Sequence, residues 1–332
     1  MRLPRVARRA EVIGDDDLVF RHHSRCRFAI VERGGQDHTP IGGGETQAGV
    51  RICRRGFPPR KPRLTRLAHD DGDVRGVLLD LDGVVYVGDQ PVPGAAEAID
   101  WLAREGIAHV FLTNTTSRPR QALVGKLAGL GISAGTDQIL TPAVAAVAWL
   151  RRHGITRPAV FVPDATAAEF AELDPLPADV EHGAGAVVIG DLGDGWNFPT
   201  LNRALRLLMS DAAIPLVALG MTRYWRAEDG LRLDAGAFVR ALEYAAGRTA
   251  VVVGKPDPTF YGAAVDALHV PADQVVMIGD DIHTDIEGAQ RAGLTGVLVR
   301  TGKFSASDLS GGVSPEAVLD SVADLPRWWA ER

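Results

Sequence analysis

Cysteine is scarce in this chain, with only Cys26 and Cys53 among 332 residues. A fold stapled by disulfides is therefore excluded. Long hydrophobic stretches are missing as well. No uncharged apolar run approaches the roughly 18 residues of a membrane span, and no apolar segment of about 7–15 residues near the start reads as a secretory signal. A basic excess is also absent, since 36 Lys and Arg stand against 42 Asp and Glu, a net charge of −6. What is present is 46% hydrophobic residues, an ordinary globular share, in a chain long enough for about two domains.

The average charge hides a division. Residues 1–70 hold 15 basic and 8 acidic side chains, a balance of +7, which leaves −13 for the remainder. The segments MRLPRVARRA, IGGGETQAG and RRGFPPRKPR show neither a helical nor a strand period. This composition predicts a disordered basic extension over residues 1–72. A misassigned start and a basic arm touching nucleic acid or anionic surfaces are the alternatives. Glu11 and Asp15–Asp17 speak against a transit peptide. Cys26 and Cys53, with His22 and His23 nearby, lack zinc-ligand spacing. The acidic body would repel a phosphate backbone, so nucleic acid is not expected as a substrate. With no membrane or export signal, the expected location is the cytoplasm.

From about residue 73 the chain turns regular. Gly76–Asp80 is a short apolar run of the kind buried on both faces of a parallel sheet. A helix is expected at about 95–105, a strand at His109–Thr113 and a helix at about 118–129, with Gly106 and Gly131 as stops. Alternation resumes at Ala250–Val253, Val275–Ile278 and Gly296–Val299. Strands alternating with helices predict a doubly wound α/β fold built on a parallel sheet. Between Thr113 and Lys255 the chain is far longer than one or two βα units of roughly 30 residues need. It carries its own strand candidates, Ala159–Val162, Ala186–Ile189 and Pro215–Leu219, and a helix at about 199–209. The expected organisation is a core over 73–143 and 236–332, with an inserted α/β cap at 144–235.

In open α/β sheets, ligands bind beyond the carboxyl ends of the strands. Four polar clusters fall there: Asp80 with Asp82, Thr113 with Asn114, Lys255, and Asp280 with Asp281 and Asp285. Carboxylates, a hydroxyl and a lysine converging on one place suit a hard divalent cation and a phosphate. The set contains no cysteine and no Ser-His-Asp elbow, so those nucleophilic schemes lack their parts. Magnesium plus phosphate is the natural reading. Asp257-Pro258 reads as a helix cap followed by proline at the first helical position, a structural feature.

Taken in order, Asp80-Leu81-Asp82-Gly83-Val84, Leu112-Thr113-Asn114, Gly254-Lys255-Pro256 and Gly279-Asp280-Asp281 resemble the four signatures of the haloacid dehalogenase superfamily. The long insert between the second and third resembles the C2a-type cap of subfamily IIA. The similarity spans about residues 74–310 and excludes the extension.

The resemblance implies a Rossmann-like core and phosphatase activity on a small phosphorylated substrate, a phosphoamino acid, pyrophosphate or phosphometabolite. It implies Mg²⁺ as cofactor and Asp80 as nucleophile, forming an aspartyl-phosphate. Asp82 would be the general acid and base and would ligate the metal through its backbone carbonyl. Thr113, Asn114 and Lys255 would hold the phosphoryl group, and Asp80 and Asp280 would bind the metal. Asp281 and Asp285 would lie on or just behind the metal. Dehalogenating members lack an acid at the place of Asp82, which counts against dehalogenation.

For the cap, the substrate candidates are Trp196, Asn197, Arg223 and Tyr224, with Asp191, Asp194 and Trp225 beside them. Arg118 is a further candidate for phosphate and His283 for substrate. A homodimer through the cap is expected by analogy with relatives, and no membrane partner is expected. A phosphotransferase using the same intermediate, or a phosphate-binding module without turnover, is the alternative.

Overall fold

The apolar run Gly76–Asp80 forms strand β1, and every residue in it is buried. Its side chains alternate between two apolar clusters. Leu78 points into one with Val110, Met277, Phe260 and Ala264, while Val77 and Leu79 enter another with Phe111, Ile278, Ile99 and Leu127. A strand covered by helices on both faces must be apolar on both, which is why this segment lacks the usual polar alternation. The computed structural model describes residues 74–227 and 230–332, and the extension expected over 1–72 lies outside them. Among the described residues, no helix is long and apolar enough to cross a membrane.

In chain order, a small hairpin follows β1, made of β2 (Tyr86–Val87) and β3 (Gln90–Pro91), and then β4 (Ala108–Leu112) and β5 (Ile139–Leu140). The insert supplies β6 (Pro158–Phe161), β7 (Ala186–Ile189), β8 (Leu216–Ala218), and an antiparallel ribbon of β9 (Tyr224–Ala227) and β10 (Gly230–Leu233). After β11 (Val251–Val252) come β12 (Val275–Gly279), β13 (Thr295–Val299) and β14 (Ala317–Leu319). The core sheet has the order β14-β13-β12-β1-β4-β5 and is parallel throughout. From β1 the chain runs outward to one edge, then returns to build the other half from β12 to β14. This reversal opens a crevice beside the carboxyl end of β1.

A second parallel sheet, β11-β8-β7-β6, forms the insert. Helices Phe198–Ser210 and Ala235–Ala246 cover one face, burying Leu207, Leu208, Val239 and Leu242 against Val187 and Ile189. The other face, through Ala186, Val188, Val217 and Leu219, joins the same apolar cluster as Leu78 and Val110 of the core.

The sheet pairing corrects one strand assignment. Ala250–Val253 was expected in the first sheet, but β11 pairs with β8 of the insert. Helix Ala235–Ala246, nearly all of it in the stretch assigned to the core, packs on the insert sheet as well. A short valine run states only that it is buried, and long-range packing decides which sheet it joins. At the other boundary, helix Pro142–Arg152 buries Ala143, Ala146 and Leu150 in the cluster shared by both sheets. It starts at a Thr141 cap, whose hydroxyl accepts from the Val144 N–H at 3.3 Å. The Asp257 cap expected before Pro258 is present, with its carboxylate accepting from the Thr259 N–H at 2.9 Å.

Candidate active site

The chemistry-bearing residues sit where strands end. Asp80 closes β1, Thr113 follows β4, Asp280 follows β12, and Lys255 lies three residues past β11. Lys255 therefore reaches the core crevice from the end of an insert strand.

Lys255 and three carboxylates form a buried cluster. The ammonium donates to Asp80 Oδ1 at 2.7 Å and to Asp285 Oδ1 at 2.8 Å. Asp80 Oδ1 also accepts from the Leu81 N–H at 2.9 Å, whereas its Oδ2 takes no hydrogen bond among the described residues. Asp285 Oδ2 accepts from the backbone N–H groups of Asp280 and Asp281, each at 3.2 Å. Asp285 thus ties the β12 loop to Lys255 with both of its oxygens.

Burial raises the Asp80 carboxyl above the usual carboxylate range, and the Lys255 charge opposes this. For Lys255, burial alone would favour the neutral amine, but the charges of Asp285 and Asp80 outweigh it and hold the ammonium charged. Asp280 is pushed up to about 6, chiefly by burial and against the hydrogen bond it accepts from Lys303.

Asp280 is held from one side only. Its Oδ2 accepts from the Lys303 N–H at 2.7 Å, while its Oδ1 is buried without any hydrogen bond among the described residues. A Cβ on Gly83 or on Gly302, both with positive φ, would overlap Asp280 Oδ2, so two bare glycines make room for this carboxylate. Oxygens of Asp80, Asp280 and Asp285 lie within 4.8 Å of one another. A buried anionic oxygen with no donor is costly, and a hard divalent cation with oxygen ligands removes that cost. The donor set fits such a cation.

The remaining core residues divide by what their side chains hold. Thr113 is buried and its hydroxyl accepts from the Thr115 N–H at 3.1 Å. The Asn114 side chain is fully engaged with the Lys255 backbone: its Oδ1 accepts from Lys255 N–H at 2.9 Å and its Nδ2 donates to Lys255 O at 3.0 Å. It aligns the lysine loop. Asp281 caps the next helical segment, accepting from His283 and Thr284 N–H groups, and faces Lys303 Nζ at 3.6 Å. Those hydrogen bonds hold its carboxyl below the ordinary value despite burial. His283 is exposed and pairs with Glu287.

Asp80, Asp82, Thr113, Asn114 and Lys255 line one small cavity of about 190 Å³, together with Lys303. Asp82 also lines a larger adjoining cleft of about 830 Å³. On the core side this cleft is bounded by Tyr86, Arg118, Lys126 and Lys303, and on the cap side by Asp191, Trp225 and Asp234.

The four cap residues expected at the substrate do not line the cleft. Trp196 is half-buried, stacked between Phe161, at 5.8 Å between ring centres, and Phe238, at 4.5 Å, against the cap core. Asn197 caps helix Phe198–Ser210 through the Thr200 N–H at 2.9 Å. Arg223 lies over the Tyr224 ring at 5.6 Å, and both border a separate groove with Met221 and Arg240. Lys303 was not among the expected site residues, since its only signal in the sequence is the TGKF segment after β13. Nor was Asp234, which sits at the expected domain boundary and looks like an ordinary helix cap.

Known proteins resemble this chain in sequence and in fold. The haloacid dehalogenase-like hydrolase model matches residues 77–174 and the HAD-hydrolase-like model matches residues 252–325. Both belong to the haloacid dehalogenase superfamily, and this chain is a member of it, in subfamily IIA. It is 40% identical to human phospholysine phosphohistidine inorganic pyrophosphate phosphatase over 76% of this chain and 91% of that protein. Human haloacid dehalogenase-like hydrolase domain-containing protein 2 is 39% identical over 71% of this chain and 87% of its own length. Among solved structures, NagD from E. coli K-12 superimposes with a TM-score of 0.69 at 27% identity, covering 76% of this chain and 98% of NagD. The p-nitrophenyl phosphatase from Archaeoglobus fulgidus also reaches 0.69 at 27% identity, over 77% and 99% of the two chains. The chain is a phosphatase of this superfamily, acting on small phosphorylated substrates.

Proposed function

We propose that the chain is a Mg²⁺-dependent phosphatase that works through an aspartyl-phosphate on Asp80. The observation that carries this reading is the Asp80 carboxylate itself. One oxygen is fixed by Lys255 Nζ at 2.7 Å, the other takes no hydrogen bond among the described residues, and Asp80 lines the cavity. The free oxygen attacks phosphorus, forming the new P–O bond as the bond to the leaving group breaks. Asp82, at the junction of the small cavity and the cleft, gives a proton to the departing atom and then takes one from the water that cleaves the acyl phosphate. That second displacement releases inorganic phosphate and restores Asp80. Lys255 neutralises charge on the phosphoryl oxygens, with Asn114 and Asp285 holding it in place and Thr113 beside the same cavity.

Asp80, Asp280 and the backbone carbonyl of Asp82 would hold the metal, with Asp285 beside them. When bound, Mg²⁺ offsets the repulsion between a carboxylate nucleophile and a phosphate dianion. The substrate class is a phosphoamino acid, pyrophosphate or a phosphometabolite, in line with the names of the relatives.

Phosphate release should be measured on p-nitrophenyl phosphate, pyrophosphate, phospholysine, phosphohistidine and sugar phosphates with Mg²⁺. Release is expected to vanish in EDTA and in Asp80→Asn, whose circular dichroism should match the wild type. Activity retained by folded Asp80→Asn would remove the nucleophile assignment.

A further inference from the structure

The two walls of the large cleft differ in charge. Its core wall carries the cations Arg118, Lys126 and Lys303 together with the carboxylates Asp82 and Asp89, next to the cavity that takes the phosphoryl group. Its cap wall carries two carboxylates, Asp191 and Asp234, and the ring of Trp225. We propose that this cap wall selects substrates whose leaving group is cationic, an ammonium held between Asp191, Asp234 and the face of Trp225. The inference rests on the phosphatase reading and narrows its substrate class.

Both carboxylates are fixed in place. The Asp191 N–H donates to the Thr116 hydroxyl at 2.9 Å, and Thr116 is a buried residue of the loop that follows β4. This bond ties the cap residue to the loop that carries Thr113 and Asn114. Asp191 Oδ1 accepts from the Gly193 N–H at 3.0 Å, and Asp234 Oδ1 from the Ala235 N–H at 2.6 Å. Each residue therefore uses one oxygen for its own turn. Among the described residues neither forms an ion pair, whereas Lys126 faces Asp89 at 3.5 Å and Lys303 faces Asp281 at 3.6 Å. Burial makes ionised Asp234 less favourable, against the hydrogen bond it accepts from Ala235, and the nearby Asp191 charge adds a smaller push in the same direction as burial. A cation between them would relieve that repulsion.

Trp225 supplies the third element. It points to the cleft because ribbon side chains alternate, which sends its neighbour Tyr224 to the separate groove. Arg232, its cross-strand partner, is exposed and does not border the cleft. An aromatic face beside carboxylates is an established way of binding an alkylammonium. The same wall disfavours a leaving group that is itself a phosphate, so pyrophosphate should be a poor substrate of this chain.

The test compares three phosphate monoesters of similar size: 2-aminoethyl phosphate, 2-hydroxyethyl phosphate and phosphoglycolate, whose leaving groups are cationic, neutral and anionic. With Mg²⁺, kcat/KM is expected to fall in that order, with the cationic substrate ahead of the neutral one by about tenfold or more. Asp191→Asn and Asp234→Asn should each pull the ratio of cationic to neutral towards one. Because the ratio is internal to each variant, a general loss of activity does not imitate the effect. Asparagine at 234 can still cap the helix, and circular dichroism reports the fold. If p-nitrophenyl phosphate is hydrolysed in an Asp80-dependent way but the wild type shows no cation preference, the inference fails alone. A preference that survives both substitutions also overturns it. If no substrate is turned over, the phosphatase reading falls first.

Discussion

Two residues with no side chain set the position of Asp280. A methyl group on Gly302 would take the space of Asp280 Oδ2, and the positive φ at this position adds strain of about 1–2 kcal/mol for any other residue. Gly302→Ala is expected to weaken Mg²⁺ binding by about tenfold or more, as substitutions behind a metal ligand commonly do. Isothermal titration of the metal would detect it, and unchanged affinity would show that Asp280 is not a ligand. Asp285 is the second residue whose neighbours define its role. It bonds to Lys255 and to two backbone N–H groups while buried completely. Asp285→Asn would turn an amide N–H₂ towards one of those donors and leave the lysine short of an anion. The expected cost is about 3 kcal/mol, measured by urea unfolding in EDTA.

At the scale of elements, the ribbon β9–β10 decides which aromatic borders the cleft. Its period of two separates Trp225, in the cleft, from Tyr224, in the other groove. Trp225→Ala should raise KM for cationic substrates several-fold, while Tyr224→Ala should leave KM within about twofold. Equal effects of the two would mean that the ribbon presents a different face to substrate. Trp196 belongs to another element and another role. Stacked between Phe161 and Phe238, it contributes to the cap core. Trp196→Ala should cost about 3–5 kcal/mol of stability. Denaturant unfolding would show it as a lowered midpoint.

The whole molecule couples folding, protons and metal. Burial raises Asp80 and Asp280 above the ordinary carboxylate value of 3.8, to about 6 for Asp280. Without metal, the folded chain therefore keeps protons that the unfolded chain has already released. Their contribution to stability is full below about pH 4 and is lost as pH rises through the folded values. In EDTA the melting temperature is expected to fall from pH 5 to pH 8.5 through these groups. Carboxylate ligands hold a cation in their ionised form, so if Mg²⁺ is held as proposed, the stabilisation it adds should grow over the same interval. Melting curves at three pH values, with and without Mg²⁺, check this. A metal increment that does not change with pH would argue against carboxylate ligands.

Much of this was legible in the residues alone. The strands β1, β7, β12 and β13 are almost wholly apolar, and a run that cannot face water on either side has one place to go, the middle of a parallel sheet. Because strand ends are visible in sequence, so was the placing of Asp80, Thr113 and Asp280 at one edge. The very short strands β5 and β14 carried too few residues to show a period, and β11 showed burial without naming its partner.

The sequence by itself placed the proposed catalytic residues, because each lies next to an apolar strand and its chemistry is local to its side chain. Only the tertiary structure decided what surrounds that set. Asp285 reaching Lys255, two glycines vacating space for Asp280, and Asp191, Asp234 and Trp225 sharing one wall are contacts between segments far apart in the chain. No spacing along the sequence encodes such contacts. They follow from how two sheets pack through one shared apolar cluster.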